Sequence, residues 1–288
     1  MSAATPFAYD SGLSFSSTAM HAISISDYAD LRIYSDTRPH NWKIADLQKG
    51  LILVYKGREV VGEGAGFGVP VLVCSDETYF SGTSRVYFSK HGNCMIVRKD
   101  FEMNRIARNK FRNVTLENRK TRRFFTYLAH LYQRHTEFRF LTLKSLTRKM
   151  YIDTAFLKIP SIGKAQVTYL IEHDHILVKA DFRRLKKTKT ERIFILNEQG
   201  SSFFRKYIDS RNMELTDSEV GAWDNVEAEW ASLKFLQGEF GFRLWRTRDS
   251  VLRRGREFLE GSMDWIGLDY EINPRSAIFE YSIEILGL

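Results

Sequence analysis

Residues 51–90, LILVYKGREVVGEGAGFGVPVLVCSDETYFSGTSRVYFSK, constrain the fold more than any other stretch of the chain. Short β-rich runs are folded here around a loop with glycine at positions 62, 64, 66 and 68. A phosphate-binding loop needs a strand before it and a helix N-terminus after it, so that free backbone N–H groups and the helix dipole meet the phosphates. Here Pro70 follows, within the β-rich run 69–73. The GxGxxG register fails too: counted from Gly62 the third glycine is replaced by Phe67, and counted from Gly64 by Val69. Two readings remain open. Alternating glycines can kink or bulge a strand where a sheet must curve. They can also wall a binding cleft, with Glu63 as a polar contact and Phe67 as a stacking platform.

The same alternation recurs along the chain. Residues 51–55 and 59–62 flank Lys56-Gly57-Arg58, a hairpin turn, and strands are expected over 69–74, 78–80, 85–89 and 93–101. Further strands are expected over 151–159, then over 166–172 and 176–182 around the turn His173-Asp174-His175. Strands over 192–197 and 202–208 are expected to join at Glu198-Gln199-Gly200, and those over 227–236 and 240–247 at Gln237-Gly238-Glu239. Polar residues 209–224 read as a surface loop. At the end of the chain Ala277, Phe279, Tyr281, Ile283 and Ile285 alternate with Glu280, Ser282 and Glu284, a half-buried strand by its period of two. Many short strands with tight polar turns predict a mainly β protein, a large antiparallel β-sandwich.

One segment breaks the pattern. Phe124, Tyr127, Leu128, Leu131 and Tyr132 lie at helical spacing, which predicts a basic amphipathic helical insertion at about 117–149. Residues 98–149 hold 15 Lys/Arg against 4 Asp/Glu, whereas the rest of the chain holds 28 against 31, so this segment accounts for the net charge of +8. The cationic flank Arg119, Lys120, Arg122 and Arg123 can contact nucleic acid or an anionic surface, or be the solvated face of a helix docked by its aromatic stripe.

No metal site and no cofactor are expected. Two histidines in the 173–175 turn leave a zinc site short of ligands, and the zincin, nucleophile-elbow and P-loop motifs are absent. Cys74 and Cys94 read as free thiols of a reducing compartment. With no basic leader followed by an apolar run, and no run near the roughly 18 apolar residues of a membrane span, the expected location is cytoplasmic. The domain expectation is a loose tail over 1–27 and one sandwich domain over 28–288.

The glycine-bent stretch LILVYKGREVVGEGAGFGVPVLV and the terminal SAIFEYSIEIL resemble the galactose-mutarotase-like supersandwich. That resemblance is architectural and matches no catalytic motif residue by residue. It implies a carbohydrate ligand, bound or processed (epimerase- or lyase-like) in a cleft on a concave sheet. Aromatic residues would then stack on sugar C–H faces while charged groups take the hydroxyls. Near the first meander the candidates are His40, Trp42, Glu63, Phe67, Arg85 and His91. No catalytic residue is identified at this level.

Overall fold

A computed structural model describes residues 13–16, 18–35, 48–74, 77–109, 155–186, 190–259 and 263–288. In chain order the elements are β1 (Ser14–Phe15), β2 (Met20–Ser24), β3 (Ala29–Tyr34), β4 (Ile52–Tyr55) and β5 (Arg58–Glu59). The long strands follow: β6 (Gly66–Cys74), β7 (Glu77–His91), β8 (Cys94–Asn109) and β9 (Ala155–Glu172). Then come β10 (His175–Asp181), β11 (Arg192–Gly200), β12 (Phe204–Asp209) and β13 (Glu214–Thr216), leading to a single helical turn, α1 (Asp217–Val220). β14 (Asp224–Asn225), β15 (Trp230–Phe235), β16 (Gly241–Trp245), β17 (Ser250–Leu259), β18 (Met263–Ile272) and β19 (Ile278–Leu286) complete the chain. The described chain is therefore mainly β and antiparallel, as expected. The helix expected over 117–149 falls outside the described residues. Among the described residues, no helix is long and apolar enough to cross a membrane.

Strands β2 to β5 form a four-stranded sheet, and the other fifteen form one antiparallel sheet in the order β13-β12-β15-β16-β19-β10-β9-β8-β7-β6-β11-β18-β17-β14, with β1 beside β7. Within the stretch 1–27, expected to be a tail, Met20–Ser24 pairs with β3, and Ile23 and Ile25 are buried. Period-two burial decides which face turns inward. In β19, Phe279, Tyr281, Ile283 and Ile285 are buried as their spacing predicts.

The large sheet curls so that distant strands face each other across one core. Phe67 of β6 packs edge-on against Phe242 of β16, with centroids 5.0 Å apart, and Tyr270 of β18 packs on Tyr281 of β19 at 4.7 Å. The ends of the sheet also meet. Asp217 at the start of α1 is buried, and its two carboxylate oxygens pair with Arg205 of β12 (3.2 Å) and Arg256 of β17 (3.0 Å). Residues 209–224, read from sequence as a surface loop, thus carry the clasp between the two ends of the sheet.

Lys99 holds the small sheet to the large one. It is fully buried on the inner side of β8, and its ammonium group donates to the Tyr34 and Lys49 carbonyls at 2.7 and 2.5 Å. These bonds offset the desolvation of a charge inside an apolar layer.

The glycine loop is architecture. Its first half turns at residues 62–64 and its second half is the start of β6. Opposite Gly68 the pairing with β11 shifts register between Leu196 and Asn197, a bulge that bends the sheet. Gly68 has φ of +78°, and a Cβ there would meet the Tyr169 hydroxyl at 2.7 Å, so only glycine fits. The turn expected at Glu198-Gln199-Gly200 is displaced: β11 runs on through Gly200 and the chain turns at residues 201–203. Polar and glycine residues look like a turn in sequence, but here they are strand positions serving a buried polar cluster.

Candidate functional site

Three adjacent strands build the cluster. In the β11, β18 and β17 registers, Glu198 pairs with Gly267, which pairs with Gly255. Alternation along β18 turns Ile266, Leu268 and Tyr270 into the core and places Trp265, Gly267 and Asp269 on the opposite face. Arg253, Gly255 and Glu257 of β17 are cross-strand neighbours of Asp269, Gly267 and Trp265 on that face. The glycines leave bare backbone between the charged residues, and the Trp223 indole lies over it. A Cβ at Gly255 would meet Trp223 Cδ2 at 2.4 Å, and one at Gly267 would meet its Cη2 at 3.0 Å. The indole N–H of Trp223 donates to Glu257 Oε1 at 2.6 Å.

Beneath the indole edge lie two buried carboxyl groups. A Cβ at Gly267 would meet Glu198 Cγ at 3.0 Å and Asp269 Oδ1 at 3.2 Å, which brings both acids to the same patch of backbone. Burial, reinforced by the Glu257 carboxylate, pushes the Glu198 carboxyl up to about 8. Asp269 is raised well above the usual carboxylate range, chiefly by burial and then by Glu198. Like charges confined in a poorly solvated space favour retention of protons. Fixed donors limit the effect: the Ala65 N–H donates to Glu198 Oε2 (3.2 Å) and the Asn197 N–H to Asp269 Oδ1 (2.8 Å). The Trp265 indole N–H lies beside Glu198 and favours its ionised form, although it falls outside strict hydrogen-bond geometry.

The glycine loop is the back wall of this cluster. Gly64 presses on the backbone of Glu198, where a Cβ would stand 2.6 Å from the carbonyl carbon. Asn197 anchors the other side: its side-chain oxygen accepts from the Gly68 N–H (3.1 Å) and the Tyr281 hydroxyl (2.7 Å), while its amide donates to the Leu268 carbonyl (3.1 Å). Lys49 donates to the Gly62 carbonyl at 2.7 Å and interacts electrostatically with Glu63, Glu59 and Glu198. Burial lowers its own pKa. The result is an acid pair, a more exposed carboxylate and two half-buried tryptophans on one sheet face.

Of the residues singled out by sequence, Glu63 is half-buried and reaches this cluster through Lys49. Phe67 is fully buried and packed on Phe242, so its ring is a core contact rather than a stacking platform. The glycine bulge reset the alternation and turned it inward. Arg85 is exposed on β7, two strands further along the sheet from β11, and His91 is exposed at the β7–β8 turn, within 2.7 Å of the Ser89 hydroxyl. These two do not join the acid pair. His40, Trp42, Arg119, Lys120, Arg122 and Arg123 lie outside the described residues. Among the described residues no group of three or more His, Cys, Asp or Glu side chains is arranged to hold a metal ion. Cys74 and Cys94 are free thiols.

Sequence reasoning missed Glu198, Glu257, Asp269, Trp223 and Trp265. One signal was available: Gly255 and Gly267 sit inside long strand patterns, where glycine marks close approach. No protein-family model matches the chain, and no curated protein matches it.

Proposed function

We propose that the chain binds and processes a carbohydrate on the face formed by β11, β18 and β17. The observation that carries this reading is the convergence of Trp223 and Trp265 with Glu198, Asp269 and Glu257 on backbone bared by two paired glycines. An indole face suits the apolar C–H side of a sugar ring, and carboxyl groups suit its hydroxyls. Glu198, protonated near neutral pH, is suited to give a proton to a ring or glycosidic oxygen, as a general acid must. Glu257 is more exposed and is placed to accept a proton from a sugar hydroxyl. Asp269 holds the acid pair's charge state through its coupling to Glu198.

An oligosaccharide array read by direct binding tests this, followed by turnover of any ligand found. Trp223→Ala or Trp265→Ala is expected to weaken binding at least tenfold, in line with loss of an aromatic platform worth about 1.5 kcal/mol. Glu198→Gln is expected to keep binding and lose turnover. Absence of any saccharide ligand, or binding indifferent to both tryptophan substitutions, rejects the proposal.

A further inference from the structure

A second polar site lies on another part of the large sheet. Strands β7, β8 and β9 carry two cross-strand rows, Thr83–Glu102–Lys164 and Arg85–Asp100–Gln166. Residues two apart on a strand share a face, so the rows stack side by side. A cavity of about 280 Å³ opens there, lined by Thr83, Ser84, Arg85, Asp100, Glu102 and Lys164.

The charges in this cavity are unequally satisfied. Asp100 is buried, pairs with Arg98 at 3.1 Å and accepts from the Gln166 amide at 2.9 Å. Glu102 accepts from the Thr83 hydroxyl at 2.9 Å and has further interactions. The Ser84 hydroxyl is turned to the Ser35 carbonyl and Gln48, each at 2.8 Å. In contrast, the side chains of Arg85 and Lys164 take part in no hydrogen bond, ion pair or ring contact in the described structure. Arg85 stands next to Asp100 in register, yet Asp100 is held by Arg98 and Gln166 instead. The unused capacity of the cavity is two cations, on β7 and β9, one row apart and flanking β8, whose two carboxylates are already occupied.

We propose that this cavity is a binding site for a small oxyanion, a carboxylate or phosphate group carried by a ligand the size of a monosaccharide or smaller. A guanidinium group offers a two-pronged set of N–H donors to such a group, and a lysine ammonium adds a point charge from a second side. The Thr83 hydroxyl, which donates to Glu102, can still accept from a neighbouring ligand hydroxyl. The site is independent of the acid pair and does not rest on its chemistry.

Calorimetric titration with inorganic phosphate and, separately, with glucuronate distinguishes the two sources of the oxyanion, with zwitterionic glycine as a third arm. Saturable binding of phosphate or glucuronate is expected, weakened about tenfold by either Arg85→Gln or Lys164→Gln, as for loss of one charge-assisted contact. Because neither side chain has a partner to lose, both variants are expected to keep the wild-type melting temperature, which separates loss of binding from misfolding. No binding of either oxyanion at about 10 mM, binding indifferent to both substitutions, or a preference for glycine over both oxyanions overturns the assignment.

Discussion

Two groups of glycines in this protein do opposite work. At Gly62, Gly64 and Gly66 of the loop, the missing side chains are replaced by backbone: Gly62 lies against Gly200, Gly64 against Glu198 and Gly66 against Leu51. In the β17–β18 pair, Gly255 and Gly267 are covered by one half-buried indole, Trp223, held by a single hydrogen bond to Glu257. Backbone cannot yield without moving a strand, whereas an indole can be displaced. Glycine under backbone therefore builds the frame, and glycine under a partly exposed side chain seats an aromatic ring against the sheet.

Substitution at each group should separate these roles. The largest effect is expected from Gly64→Ala, whose Cβ would stand 2.6 Å from the Glu198 carbonyl carbon and force β11 to shift. A loss of about 3–5 kcal/mol in chemical denaturation is anticipated, at the upper end for single substitutions. A loss below about 1 kcal/mol would mean that the loop is not rigid framework.

Next in size is the pH dependence carried by Glu198. Its carboxyl titrates at about 8 in the folded chain against an ordinary value of 4.5. Between these values the folded state holds a proton that the unfolded state has released, so stability falls as pH rises through the window and levels off above it. Glu198→Gln mimics the protonated group. Measured by melting across pH 5 to 9, it should flatten that slope and leave the variant more stable than wild type at the alkaline end. An unchanged slope would remove Glu198 from the titrating pair.

Gly255→Ala should cost less, about 1 kcal/mol, because the clashing group is a side chain with solvent on one side. It should also displace Trp223, seen as a red shift of tryptophan emission that Gly64→Ala does not give at the same folded fraction. Glu257→Gln is the mildest change. Weakening the charge-assisted bond from the Trp223 indole should cost about 0.5–1 kcal/mol, with increased quenching of the indole by acrylamide as the readout.

Much of the frame was legible because alternation is local. The burial of Phe279, Tyr281, Ile283 and Ile285 follows from their spacing, and the turn at His173-Asp174 from its polar residues, with His173 at φ of +56°. The glycine loop was legible as a bend. Phe67 was not placed correctly, since a bulge shifts the inward face by one residue and its position depends on the partner strand. The acid pair was less accessible still. Glu198 and Asp269 lie on adjacent strands that are remote in sequence, and their meeting depends on the order β6-β11-β18-β17. No spacing rule in the sequence brings Glu198 to Asp269.

The clasp at Asp217 bears on how this chain behaves in a crowded solution. A long antiparallel sheet ordinarily ends in two strands with unpaired backbone groups, ready to recruit strands from other molecules. Here the terminal strands of the sheet path have three and two residues, Glu214–Thr216 and Asp224–Asn225, and Arg205 and Arg256 draw both ends onto one carboxylate. Loss of that carboxylate would unfasten the two ends of the sheet and leave its edges held only by the short strands β13 and β14, so Asp217→Ala is expected to raise self-association on mild warming, read by light scattering. A four-residue helical turn thereby fastens together the two edges at which intermolecular strand pairing would begin.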